Sequence, residues 1–375
     1  MLKSFLAISL LSGTFIAAQE KAPPAKPSPP PAPVFDVTLS PDSDLSVGMP
    51  DNLPVFSSQC DANGNPYASI ITMVAPFRQI IGFTKKGVVT FSTSQMTDIP
   101  EPRIGRMFMG ETSLYVLVEG TENAKQEEFV SEDETGKETK RSRTVGERRD
   151  YIARFDLDGT YRGAVKLDRG FRTMQLAVFG SGDFAIAGTN ENEKAEVQIL
   201  NSTGQLLAYL NLPKDITEKP ERAEKSFEKL GIGDASIGVI AMFAAFYPYH
   251  GNVLLVRSGD LSPIYEIREG GEARSVRIKS PDGFAIDHFI PSDKNWMVDF
   301  RKGLAEETDT IYEVSPETGE ILGHYRIRGE EGAKDQISCV LQGGDFVGIR
   351  HQKAKLTIVR GTAEHTQGRE ASASQ

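Results

Sequence analysis

One arrangement of apolar and polar positions recurs six times along the chain: a short apolar strand, a turn ending in a small-polar pair, then a strongly apolar strand. The pairs are Gly64-Asn65, Gly110-Glu111, Gly182-Asp183, Gly251-Asn252, Lys294-Asn295 and Gly344-Asp345. The strands that follow include Leu114 to Val118, Phe184 to Ala187, Val253 to Val256, Trp296 to Val298 and Phe346 to Ile349. A second hairpin runs in phase with the first, at Gly82 to Gly87, Arg154 to Gly159, Ile199 to Gly204, Glu266 to Gly271 and Glu313 to Gly319. Glycine stands where such a turn needs positive φ, between β-rich flanks. Two hairpins per repeat predict four antiparallel strands.

The second members of the pairs lie 46, 72, 69, 43 and 50 residues apart. The two long intervals hold charged insertions, residues 121–150 and 214–236, and removing ~25 residues from each restores a blade-like period. The sixth copy lacks its last strand, whereas Val34 to Leu39 precedes the first copy and has no partner there. Pairing it onto the sixth copy would close a ring and cover an exposed edge. The expected fold is therefore all-β: a six-bladed β-propeller over residues 34–362, closed by its N-terminal strand. With its Gly-Asn/Asp turns before apolar strands and hairpins such as Asp156 to Gly159, the chain resembles propellers of the NHL-repeat and TolB-like kind. That resemblance implies an architecture and leaves the activity open, since the group spans binding modules, scaffolds and enzymes.

The ends read differently. Met1-Leu2-Lys3 gives a positive start, Phe5 to Ile16 is apolar, and Ala17-Ala18 offers small residues for cleavage, which predicts a signal peptide over 1–18. An uncleaved anchor is the alternative, although the apolar stretch is short of the ~20 residues a span needs. Residues 19–33 are a Pro-rich linker and 363–375 a polar, disordered tail. The apolar run Ile237 to Phe246 reads as a buried strand. Within the 214–236 insertion, Pro220 to Gly231 has the spacing of a short amphipathic helix. In the 121–150 insertion an acidic half precedes a basic half, and folding at Thr135-Gly136 would set Glu128 opposite Arg143 in a ribbon.

The net charge of −10 argues against nucleic acid or anionic lipid as a general partner. No cofactor motif is present, and the five histidines, His250, His288, His324, His351 and His365, have no metal-ligand spacing. Asp61 to Gly64 and Asp156 to Gly159 faintly resemble calcium loops but lack the later ligands, so a turn is the plainer reading. Asn201-Ser-Thr203 matches a glycosylation acceptor. Cys60 and Cys339 hold matching places in the first and last copies; a seam disulfide and two buried thiols are both open.

Four arginines stand near the ends of second strands: Arg78, Arg257, Arg301 and Arg350. On a ring they would form a positive collar on the face that carries both insertions, the top, fit for a carboxylate or phosphate. The competing reading pairs each with a carboxylate of the adjacent blade. The function expected is a non-catalytic binding or scaffolding propeller of the envelope or extracellular space. It would act as a monomer on a protein or anionic ligand at the top face, with no membrane span. The alternative is a metal-dependent hydrolase or lyase with its site in the central channel.

Overall fold

A computed structural model describes residues 32–49, 55–71, 78–132, 138–192, 195–210, 244–257, 263–281, 285–290, 292, 294–301 and 310–365. The expected signal peptide, almost all of the expected linker and the insertion 214–236 with its expected helix lie outside the described residues. The chain opens with β1 (Val34–Thr38) and β2 (Ser40–Gly48). Four antiparallel four-stranded blades follow. The first holds β3 (Val55–Cys60), β4 (Pro66–Ile71), β5 (Arg78–Thr84) and β6 (Gly87–Phe91). The second holds β7 (Arg103–Met109), β8 (Ser113–Glu132), β9 (Glu138–Asp156) and β10 (Tyr161–Lys166). In the third are β11 (Phe171–Val178), β12 (Phe184–Asn190), β13 (Ala195–Leu200) and β14 (Leu206–Leu210). The fourth comprises β15 (Ala244–Tyr249), β16 (Asn252–Arg257), β17 (Ile264–Ile267) and β18 (Ala273–Val276). Only the last residues of the apolar run 237–246 are described, and they enter β15.

The remaining strands form one nine-stranded sheet. It contains β19 (Ala285–Ile290), β20 (Trp296–Arg301), β21 (Thr310–Val314) and β22 (Ile321–Arg328), then β23 (Lys334–Val340), β24 (Asp345–Gln352) and β25 (Lys355–His365). First strands lie against one another, β3 on β7, β7 on β11, β11 on β15, β19 on β23 and β23 on β3, so they surround the axis. Apolar clusters fill the spaces between sheets. Phe83, Ile81 and Ala68 of the first blade pack with Val347, Ile349 and Leu356 of the last strands. This arrangement is a β-propeller. Among the described residues no helix is long and apolar enough to cross a membrane.

The glycines of the second hairpins have two duties. Gly159, Gly204, Gly271 and Gly319 all have positive φ, between 69° and 88°. Each also rests against the preceding blade. A Cβ on Gly159 would meet Val89, one on Gly204 would meet Val165, and one on Gly319 would lie 2.1 Å from the carbonyl oxygen of Arg277. The turn therefore needs a residue free of a Cβ both for its own backbone and for its neighbour.

Several expectations need correction. The closing segment is longer than Val34 to Leu39. β1 pairs antiparallel with only the end of β25, Phe35 opposite His365 and Val37 opposite Ala363. β2 pairs with the rest, Ser40 opposite Arg360 and Gly48 opposite Lys355. An eleven-residue strand needs both segments to cover it. β1 also pairs in parallel with β22, Val34 opposite His324 through Thr38 opposite Arg328, which joins the two halves of the nine-stranded sheet. The tail does not begin at 363, because β25 runs to His365; residues 366–375 lie outside the described residues.

Residues 121–150 extend the β8–β9 hairpin, but Glu128 faces Ser142 and Glu127 faces Arg143. An irregularity between Glu122 and Lys125, where Asn123 has φ 53°, shifts the ribbon's register by one residue relative to its base. Arg143 pairs with Glu127 at 2.9 Å. The ribbon's base is clamped by Glu122, which holds Lys166, Arg169 and the Tyr151 hydroxyl. Hydrogen bonds from Lys166 and Arg169 bring its carboxyl down to about 2.

Candidate functional site

The turns that define the repeat converge. Cys60 to Asn63, Met109 to Ser113, Val178 to Gly182, Pro248 to Asn252, Ser292, and Cys339 to Gly343 with Asp345 line a single cavity of about 890 Å³. Every copy of the first hairpin contributes, so this cavity lies on the axis at the turn end of the innermost strands. Polar and aromatic groups share its wall: Asp61, Glu111, Arg154 and His250 beside Tyr115, Phe179 and Tyr249. Its acids are partly committed. Asp61 accepts the backbone N–H groups of Asn63 and Asn65 at 2.9 Å and the Asn65 amide at 2.8 Å. Asp345 accepts the Thr362 hydroxyl at 2.6 Å, and Arg154 Nε donates to Ser113 at 3.1 Å. Tyr249 stacks edge-on against His250 with centroids 4.4 Å apart, and His250 has φ 49°, a conformation a histidine rarely holds.

Cys60 and Cys339 are joined as a disulfide in the cavity wall, with Cα atoms 5.9 Å apart. Around it the seam is closely fitted. A Cβ on Gly64 would lie 2.9 Å from Leu341, and Arg360 donates to the Gly64 carbonyl at 3.3 Å. The loop-like motifs are Asx turns. In the second, Gly159 donates to the Asp156 carbonyl at 3.0 Å while Asp158 accepts Thr160 N–H at 3.0 Å. Among the described residues no group of three or more His, Cys, Asp or Glu is placed to hold a metal ion. Asn201 is absorbed in its own turn, accepting from Thr203 and Gln205.

The four arginines stand at the other end of the strands. Arg350 is buried, 3% exposed, and tied to Asp335 at 2.7 Å and Glu330 at 3.2 Å. It also donates to the Leu39 carbonyl at 3.3 Å. It therefore anchors the closing segment and leaves the collar. Arg301 is the sixth residue after its turn, whereas Arg257 and Arg350 are the fifth. The register expected to be common to the three therefore does not hold for Arg301, which pairs with Ala285. The side chains of Arg257 and Arg301 lie outside the described residues. Arg78 opens the third strand of its blade rather than ending the second, and its Nη1 donates to the Gly105 carbonyl at 3.1 Å.

No protein-family model matches the sequence, and no curated protein matches it. Solved structures share its general form at low similarity. Myxococcus xanthus glutaminyl cyclase is 8% identical with a TM-score of 0.34, covering 88% of this chain and 99% of its own. The Neurospora crassa Pan2 WD40 domain is 8% identical with a TM-score of 0.39, over 88% and 97%. The β-propeller domain of the Pyrococcus furiosus Trilobed protease, described as having an open velcro topology, is 9% identical with a TM-score of 0.36, over 84% and 98%. At these scores the likenesses carry no argument about function.

Sequence reasoning missed the cavity, although every turn that rims it was read; which face those turns would shape depends on side chains meeting across the axis.

Proposed function

We propose that this is a six-bladed, exported binding propeller of the NHL/TolB-like type, whose ligand site is the turn-lined cavity. The six-blade count takes β19–β22 as the fifth blade and β23–β25 with the closing segment as the sixth, welded by β1. Export is inferred from the N-terminal pattern and is compatible with a seam disulfide. The observation that carries the binding assignment is the convergence of all six first hairpins on one concave, mixed aromatic and polar site. The site sits opposite the face on which the sequence alone placed the ligand. A non-catalytic role suits a wall in which Asp61 shapes its own turn and Asp345 holds the Thr362 hydroxyl.

The test uses the mature chain immobilised and exposed to extracellular extract, beside a variant carrying Ser181→Trp. Ser181 is exposed and lines the cavity, so an indole there obstructs part of it at little cost to the fold. Wild type is expected to retain a component that the variant loses. Equal retention overturns the cavity assignment, and one equivalent of metal in the purified chain would favour the hydrolase or lyase reading instead.

A further inference from the structure

Charge is unevenly distributed over the wall of the turn-lined cavity. Its carboxylates are those of Asp61, Glu111 and Asp345, against the guanidinium of Arg154. Asp61 and Asp345 are engaged as acceptors, whereas exposed Glu111 has neither a hydrogen bond nor an ion pair among the described residues. Arg154 donates to Ser113 Oγ at 3.1 Å and forms no ion pair with Glu111. Glu111 stands close to the turn of the fourth blade, with Gly180 between them. The N–H of Gly180 donates to the Gly251 carbonyl at 3.0 Å. A Cβ on Gly180 would lie 3.3 Å from Gly251 Cα and 4.0 Å from Glu111 Oε1. Gly180 has no positive φ, so space rather than backbone calls for glycine here. In the turn itself, Tyr249 pairs directly with Asn252, which leaves His250 and Gly251 at the tip with φ 49° and 76°. Asn or Gly is the usual first residue of such a turn, yet His250 occupies it. Its imidazole is exposed, edge-on to Tyr249, and without a hydrogen bond among the described residues. An unpaired carboxylate thus faces the cavity across one glycine from a turn that carries two aromatic rings.

A carboxylate in a concave, partly apolar wall attracts a cation, and aromatic faces do the same through their quadrupoles. A metal ion needs several converging ligands, and the described residues hold no group of three or more acids, histidines or cysteines placed for one. The set therefore suits an organic cation, whose ammonium has three donors and whose carbon chain can lie on the rings. Taking the turn-lined cavity as the ligand site, we infer that its ligand carries a protonated alkylamine, held by the Glu111 carboxylate and the rings of Tyr249 and His250. The chain's net charge of −10 draws such a ligand toward the protein.

The test is calorimetric titration of the mature full chain with trilysine and, separately, spermidine, at constant ionic strength. Wild type should give saturable heat with at least one; which one responds tells a peptide side chain from a free polyamine. Fully acetylated trilysine, which keeps the chain and loses the charges, should give none. Glu111→Gln should weaken binding about tenfold or more, the size of a lost charge-assisted contact. His250→Asn, with a residue at ease in positive φ, should weaken it severalfold by removing one ring. Ser181→Trp should weaken it as well, because the indole obstructs the same cavity. Glu331→Gln removes an exposed carboxylate outside the cavity and should leave binding unchanged. Absence of saturable heat with both amines, or undiminished binding in Glu111→Gln, overturns the amine assignment. Should wild type then still retain an extract component that Ser181→Trp loses, the cavity stands as the ligand site and only the ligand class falls. Should Ser181→Trp retain that component equally, the cavity assignment falls with it.

Discussion

At the residue scale, the repeat is written in glycines that serve two blades at once. Gly319 has φ 69°, and its N–H donates to the Ser315 carbonyl at 2.9 Å while its own carbonyl accepts from Lys279 at 2.8 Å. It is thus a turn residue and a contact between blades in the same atoms. Gly319→Ala adds a methyl that must strain a left-handed backbone and also displace the Arg277 carbonyl, which is main chain and cannot swing aside. A loss of ~2–4 kcal/mol is expected from those two terms together. The measurement is denaturant unfolding of the variant, with Gly332→Ala as the comparison. Gly332 also has positive φ, 75°, but a Cβ there meets nothing within 4 Å, so its loss should be the smaller. Equal losses would show that backbone strain alone accounts for both. The turn glycines were legible because positive φ leaves a residue-type signature. Arg350 was legible only as a cation; that it is buried between Asp335 and Leu39 depends on a segment more than 300 residues away.

At the scale of elements, the closing segment shows what sequence pattern can and cannot deliver. The unpartnered strand near the N-terminus was visible because Val34 to Leu39 is β-rich and stands outside the repeat. Its division into β1 and β2 was not, because Ser40 to Gly48 is polar and contains Pro41, a poor strand signal. Those residues become strand because β25 offers an edge eleven residues long. β1 is held on both sides, and its pairing with β22 adds an ion pair from Arg328 to Asp36 at 2.9 Å. Val37 is fully buried beneath it, among Ile311, Phe346 and Val359. Deleting residues 34–48 should therefore expose both β22 and β25 and lower the unfolding midpoint by ten degrees or more, on the order of several kcal/mol. Deleting 19–31 should leave the midpoint unchanged. Thermal unfolding followed by circular dichroism distinguishes them, and matching midpoints would refute closure by this segment.

At the scale of the whole molecule, two devices keep the last strands in place, and they act on opposite sides. β1 ties β25 to β22, while the Cys60–Cys339 disulfide ties β23 to β3 of the first blade. A closed ring unfolds cooperatively because each sheet's apolar face is covered by the next, and it has no terminal sheet from which to fray. Either device alone preserves that cover. Replacing both cysteines by Ala should cost ~2–4 kcal/mol, mostly by freeing a long loop in the unfolded chain, yet leave one unfolding transition. Deleting residues 34–48 with the disulfide intact should also leave one, since the last strands are still tethered at the first blade. With both changes made, the apolar faces of Val347, Ile349 and Leu356 on one side and Ala68, Ile81 and Phe83 on the other are free to part. The doubly altered chain should then lose more stability than the two single losses combined, or melt in two steps, because the energies of coupled sites do not add. Calorimetry of the four forms measures this directly. Simple additivity with a single transition in all four would mean that the faces between the first and last blades hold the ring unaided, and that neither the strand nor the disulfide is what closes it.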